Sequence, residues 1–260
     1  MRAEHVSANG IDMSYICFGN GPKPFIILPG LSTKSVLLSA KAIQASYRMF
    51  ENDFTVYVFD RRDNMPDDYS VRQMGDDTAE IMKHIGIKDA YIFGASQGGM
   101  MAMCIAVDYP ELVAKLVLGS TAAKASDRIR TDRWLRLAEK RDMTALTAAF
   151  IDDLYSQDTI GKFKDLLIHL NDDVTDRDIE RFIIQSKAID GYDIYDELDK
   201  IQCPVLVIGV DGDKVISPSS SKEIADKIGC ELYMYGTEYG HAVFDEAPDY
   251  KQRIMDFFDK

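Results

Sequence analysis

The stretch Gly94-Ala95-Ser96-Gln97-Gly98 sets one serine between two glycines. It directly follows an apolar run, Ala90-Tyr91-Ile92-Phe93, and directly opens a helical pattern over 97–109. A strand-to-helix reversal that tight requires glycine on both flanks, because a Cβ there would collide with the neighbouring elements. The serine is then forced to the tip of the turn, above the carboxyl edge of a sheet, with a helix N-terminus beneath it. Its hydroxyl is a poor nucleophile at neutral pH and needs a base to take its proton. The bland alternative is a glycine-rich turn with an idle serine.

The base must come from 4 histidines. His5 lies in an N-terminal hairpin, ahead of everything that could bring it to Ser96. His84 sits in a helix bounded by Lys83 and Gly86, and His169 lies among aliphatic neighbours, so surface or packing roles suit both. His241, in Tyr239-Gly240-His241-Ala242-Val243-Phe244, falls just past the last strand-like run and before the last helix. That puts it at the same sheet edge as Ser96. A carboxylate should orient the imidazole and stabilise its charged form. The run at 205–208 ends in Gly209-Val210-Asp211-Gly212-Asp213-Lys214, which offers Asp211 and Asp213, although either residue also suits a plain turn. An oxyanion on the attacked carbonyl needs two donors. One is the backbone N–H of Gln97, at the positive end of its helix. The other is the N–H of Leu31, in the loop Pro29-Gly30-Leu31-Ser32-Thr33.

These groups act together only if one sheet holds them at one edge. Asn9-Gly10, a dipeptide that accepts positive φ, separates His5-Val6-Ser7 from 11–16 and predicts a hairpin. Continuous apolar runs follow at 24–28, 54–59, 90–93, 116–118, 205–208 and 232–235, as in strands buried on both faces of a parallel sheet. Helical segments lie around 35–50, 70–85, 97–109 and 219–228, with a last one from 248 onward. The alternation predicts an α/β fold with a mostly parallel central sheet and helices on both faces.

From about 121 to 200 the rhythm breaks. Helical periodicity appears at 134–140, 144–155, 160–170 and 175–189, where Thr175-Asp176-Arg177-Asp178 is a capping start, and no strand-like run occurs. An all-helical insertion between two strands reads as a cap, so the expected division is a core of 1–120 and 201–260 with a cap at 121–200. Trp134, Phe150, Tyr155, Phe163 and Phe182 in the cap, and Met100, Met101 and Met103 after the serine, could line an apolar pocket, with Trp134 and Phe150 the named candidates. At helical spacing, core packing is the commoner explanation.

The 260 residues are 46% hydrophobic, enough for one large core, and carry a net charge of −13. That acidity argues against a nucleic-acid partner, which needs a basic face. The densest basic stretch, Asp127-Arg128-Ile129-Arg130-Thr131-Asp132-Arg133 with Arg136, is broken up by acids and reads as a solvated helix face. No charged-then-apolar leader opens at Met1-Arg2-Ala3-Glu4-His5, and the apolar stretch around Ser96 is too broken to span a bilayer, which points to a cytoplasmic protein. Cys17, Cys104, Cys203 and Cys230 lack zinc spacing and read as buried, reduced thiols. No cofactor and no metal are implied, the partner is a small-molecule substrate, and a homodimer is left open.

The serine turn, Asp60-Arg61-Arg62 after the strand at 54–59, Asp213-Lys214-Val215-Ile216-Ser217-Pro218, and Gly240-His241 together resemble the α/β-hydrolase fold superfamily, in its cap-bearing branch of esterases, lactonases and thioesterases. The resemblance covers nearly all of the chain outside the cap. It implies a Ser96, Asp213, His241 triad, since the family pattern D-x-[VI]-x-x-P matches Asp213 and not Asp211. It also implies acyl transfer to water through an acyl-enzyme. Related family chemistries are carbon–carbon bond hydrolysis, lyase or perhydrolase reactions, and slow-hydrolysing ligand receptors. Two departures stand out. Pro29-Gly30 replaces the usual His-Gly pair of the oxyanion loop, and Asp63-Asn64-Met65-Pro66 replaces a Gly-x-Gly-x-Ser-type loop.

Overall fold

Asn9 and Gly10 both adopt positive φ, +52° and +78°, and their turn joins β1 (Arg2–Ala8) to β2 (Ile11–Gly19) as an antiparallel hairpin. In the computed structural model, which describes residues 1–125, 131–169 and 171–260, six more strands complete one sheet. They are β3 (Lys23–Leu28), β4 (Phe54–Phe59), β5 (Ala90–Ala95), β6 (Val113–Gly119), β7 (Val205–Val210) and β8 (Glu231–Tyr235). The spatial order is β1-β2-β4-β3-β5-β6-β7-β8. Only the β1–β2 and β2–β4 pairings are antiparallel, and every pairing from β4–β3 to β7–β8 is parallel. Residues 127–130 of the basic stretch lie outside the described residues.

Strand residues alternate between two apolar layers, as the two-residue pleat requires. Ile26, Leu28, Ile92, Leu116, Leu118 and Val207 belong to one core, and Phe25, Ile27, Phe93, Val117, Leu206 and Ile208 to the other. The first is covered by α2 (Val71–His84), α3 (Gln97–Asp108) and α8 (Pro218–Ile228). The second is covered by α10 (Tyr250–Asp259) and by the edge of α1 (Ala40–Ser46). Burial on both faces is why the central strands read as unbroken apolar runs.

The segment 35–50, expected to be one helix, is α1 between two 3₁₀ turns, Val36–Ser39 and Arg48–Phe50. Tyr47 leaves helical geometry (φ −105°, ψ 16°), and it and Phe50 turn down onto Phe25, whose ring centroid is 4.9 Å from that of Phe50. Burying both rings outweighs the helical repeat.

Between β6 and β7 the described residues form four α-helices, α4 (Asp132–Glu139), α5 (Met143–Leu154), α6 (Gln157–Leu167) and α7 (Asp176–Lys187), followed by a 3₁₀ helix, Tyr195–Lys200. Thr175 and Asp178 close a capping box at the start of α7. The two ends of this segment run side by side, with Ala125 N donating to Tyr192 O at 2.6 Å and Ile194 N to Ala123 O at 2.9 Å. Its apolar residues, including Trp134, Leu146, Ile179 and Phe182, join the α2/α3 core layer. No helix among the described residues is long and apolar enough to cross a membrane.

Candidate active site

β5 ends at Ala95 and α3 begins at Gln97, so Ser96 alone makes the turn, at φ +54° and ψ −122°. A non-glycine residue in that region is strained and persists only where its surroundings over-determine it. Here they do. Ser96 N donates to Gly119 O at 2.9 Å, and Thr121 Oγ1 donates to Ser96 O at 2.7 Å, which ties the turn to the end of β6. The flanking glycines are required by contact. A Cβ on Gly94 would strike Gly98 O, and one on Gly98 would strike Leu28 O at the end of β3. The same crowding brings the loop after β3 against the turn, since a Cβ on Gly30 would stand 3.2 Å from Ser96 Cβ.

His241 follows β8 in a buried loop and its Nδ1 lies 2.7 Å from Asp213 Oδ2, both side chains being 3% exposed. A carboxylate oxygen only accepts, so Nδ1 carries the hydrogen, and in the neutral imidazole the lone pair is then on Nε2. The other oxygen, Asp213 Oδ1, accepts from the amides of Val215 (2.8 Å) and Ile216 (2.9 Å), which fixes the carboxylate's orientation. Asp211, the rival acid, points elsewhere, half-exposed and 3.7 Å from Lys222.

The loop carrying His241 is held from below by a residue the sequence reading did not single out. Glu246 accepts from Gly240 N at 2.6 Å and from Ser156 N, at the α5–α6 junction, at 2.8 Å. Nothing in the local pattern distinguishes it from any other helix-turn glutamate.

Ser96 and His241 line one cavity of about 540 Å³, together with Leu31, Trp134, Phe150, Ile151, Leu154 and Tyr155. Among the described residues no hydrogen bond joins the Ser96 and His241 side chains. The amides of Leu31 and Gln97 likewise have no backbone acceptor among them. Trp134 is 3% exposed, stacks on Phe150 with centroids 4.3 Å apart, and donates from Nε1 to Asp153 at 2.9 Å. It is both wall and packing.

The remaining pocket candidates divide. Tyr155 lines the cavity, Phe163 faces outward at 53% exposure, and Phe182 is buried behind Phe150. Met100, Met101 and Met103 do not reach the cavity, because α3 is buried on all sides beneath the turn. Among the described residues the other histidines have partners elsewhere or none near Asp213. His5 pairs with Ser14 on the hairpin, and His84 is exposed at the end of α2. His169, at the cavity rim, pairs with Asp172 at 2.6 Å.

A guanidinium lies behind the serine turn. Arg61, after β4, is 2% exposed, and burial pulls its pKa down to about 10. Its Nη2 donates to Pro29 O (2.8 Å) and Gln97 Oε1 (3.1 Å), with Gly30 O at 3.5 Å. Gln97 Nε2 in turn donates to Gln185 O on α7 at 2.7 Å. From the same helix, Arg181 donates to Arg62 O (2.9 Å) and Asp63 O (3.2 Å), holding the loop that departs from the glycine-rich pattern. No group of three or more His, Cys, Asp or Glu among the described residues is arranged to hold a metal.

A family model described as alpha/beta hydrolase fold matches residues 23–248. The chain is 21% identical over 228 residues to 3-oxoadipate enol-lactonase 2 of Acinetobacter baylyi, covering 86% of this chain and 84% of that protein. Among solved structures it is similar to an α/β-hydrolase enzyme from a Medee basin deep-sea metagenome library, with TM-score 0.86 and 22% identity over 99% of this chain and 98% of that one. It is also similar to the enol-lactonase from Burkholderia xenovorans LB400, with TM-score 0.84 and 22% identity, covering 99% of this chain and all of that one (100%).

Proposed function

The chain belongs to the α/β-hydrolase fold family, and from that premise we propose that it hydrolyses an ester-type bond, carboxylic ester, thioester or lactone, of a small, partly apolar substrate. The observation that carries the reading is the buried His241–Asp213 pair opening onto the cavity that holds Ser96 at a positive-φ turn. Ser96 Oγ attacks the carbonyl carbon while His241 Nε2 takes its proton. Asp213 keeps the imidazole in the required tautomer and stabilises its charged form. The oxyanion is met by the amides of Leu31 and Gln97, the second at the positive end of α3. Collapse expels the alcohol or thiol, protonated by His241, or opens the lactone ring. Water, deprotonated by His241, then frees the acid and restores Ser96.

In this reading residues 1–120 and 201–260 form the hydrolase core and 121–200 a cap, whose Trp134 and Phe150 set the shape of the substrate. Arg61 is a positioning residue. One guanidinium bonds both the oxyanion loop at Pro29 and the side chain of Gln97, so it sets the spacing of the two amide donors. The lactonase name of the Acinetobacter baylyi relative supports including lactones.

The test is labelling with a fluorophosphonate and peptide mapping, alongside turnover of p-nitrophenyl esters, thioesters and lactones. Labelling at Ser96, and a loss of at least about 10³-fold in kcat for Ser96→Ala, are expected. An adduct on another serine would overturn the assignment.

A further inference from the structure

One carboxylate in the cavity has no part in the chemistry above. Asp245, in the short helix α9 (Val243–Glu246) that follows His241, is the only Asp or Glu among the described residues lining it. Its side chain is 56% exposed, yet burial raises its carboxyl above the usual value. Both hold if the open surface faces the recess instead of bulk water. The nearest cation, Lys251, stands 4.0 Å from Oδ1 and is itself bound to the carbonyl of Phe244. That leaves Oδ2 without a hydrogen-bonded partner among the described residues.

Two aromatic rings line the cavity beside this carboxylate, Phe244 next to it in sequence and Tyr155. Tyr155 is close enough to feel its charge, since burial first and then Asp245 push the phenol up to about 12. A carboxylate sharing a recess with two aromatic rings suits an organic ammonium, which gains from both the charge and the ring quadrupoles. Among the described residues the rest of the wall contributes one further cation without a hydrogen-bonded partner, Lys34, since His169 is engaged with Asp172.

We infer that Asp245, with Phe244 and Tyr155, forms a subsite for a compact organic ammonium group carried by the substrate. The inference rests on the ester-hydrolase reading and names its substrate class.

Acetylcholine and 3,3-dimethylbutyl acetate differ only in charge, and an acetate monoester of a similarly long hydroxy acid supplies the anionic counterpart. The native enzyme should favour acetylcholine over the neutral ester by about tenfold or more in kcat/KM at low salt. Asp245→Asn should bring that ratio to about one, and Asp245→Glu should keep most of it. Tetramethylammonium should slow fluorophosphonate labelling of Ser96 in the native enzyme and lose that effect in Asp245→Asn. Equal turnover of the charged and neutral esters, or preference for the anionic one, would overturn the subsite and leave the hydrolase reading standing. No turnover of any ester and no labelling would overturn both. The native ratio needs no variant, so a misfolded variant cannot decide the outcome.

Discussion

Replacing Arg61 by methionine separates catalytic positioning from plain packing, because the two consequences differ in size. The change removes donors from Pro29 O, which is half-buried, and from Gln97 Oε1, which is buried. Each orphaned acceptor costs about 1–3 kcal/mol. Against this, the burial that holds the Arg61 pKa at about 10 is a standing penalty of roughly 3 kcal/mol. That penalty vanishes with the charge. The net loss of stability is then no more than about 3 kcal/mol. Catalysis has no such offset. Loss of one oxyanion donor costs about 10²–10³ in kcat, and a donor that drifts without vanishing costs less, so a fall of about 10- to 100-fold is expected. KM should stay within about threefold, because the amides act on the transition state and not on the bound ester. Arg61→Lys keeps the charge but reaches fewer acceptors, and should fall between. The assay pairs steady-state kinetics with affinity for a trifluoromethyl ketone, which should weaken in step with kcat. A lower melting temperature with kcat and ketone affinity unchanged would reduce Arg61 to a structural guanidinium and refute the reasoning.

Asp213→Asn should cost far more kcat than Asp211→Asn, because only Asp213 holds His241 Nδ1; equal small losses in the two variants would show that the orienting acid lies elsewhere. Phe150→Ala should enlarge the cavity beside Trp134 and shift acyl preference toward longer chains, with acetate turnover within about tenfold of native. An unchanged chain-length profile with a reduced melting temperature would make Phe150 a packing residue only.

What was legible in the sequence was local. Strands buried on both faces announce themselves as apolar runs, and each residue assigned to the chemistry sits at the end of such a run, so the sheet edge could be assembled without knowing the strand order. A helix apolar along nearly its whole length is enclosed on all sides, which α3 is from Gln97 to Val107, in keeping with core packing as the commoner explanation for Met100, Met101 and Met103. The helix expected over 35–50 failed because a tertiary demand, the seating of Tyr47 and Phe50 on Phe25, cannot be seen in a window of neighbours. The contacts that hold the site were hidden for a stronger reason. Arg61 to Gln97, Gln97 to Gln185 and Ser156 to Glu246 link polar residues 36, 88 and 90 positions apart, and polar side chains carry no periodicity that names a partner. Asp245 is the extreme case. Beside Glu246 it reads as an ordinary acid pair opening a short helix, and only the fold shows that one of the two clamps the histidine loop while its neighbour faces the cavity. Adjacent acids with opposite surroundings are the kind of difference from which substrate selectivity can arise with the catalytic residues unchanged.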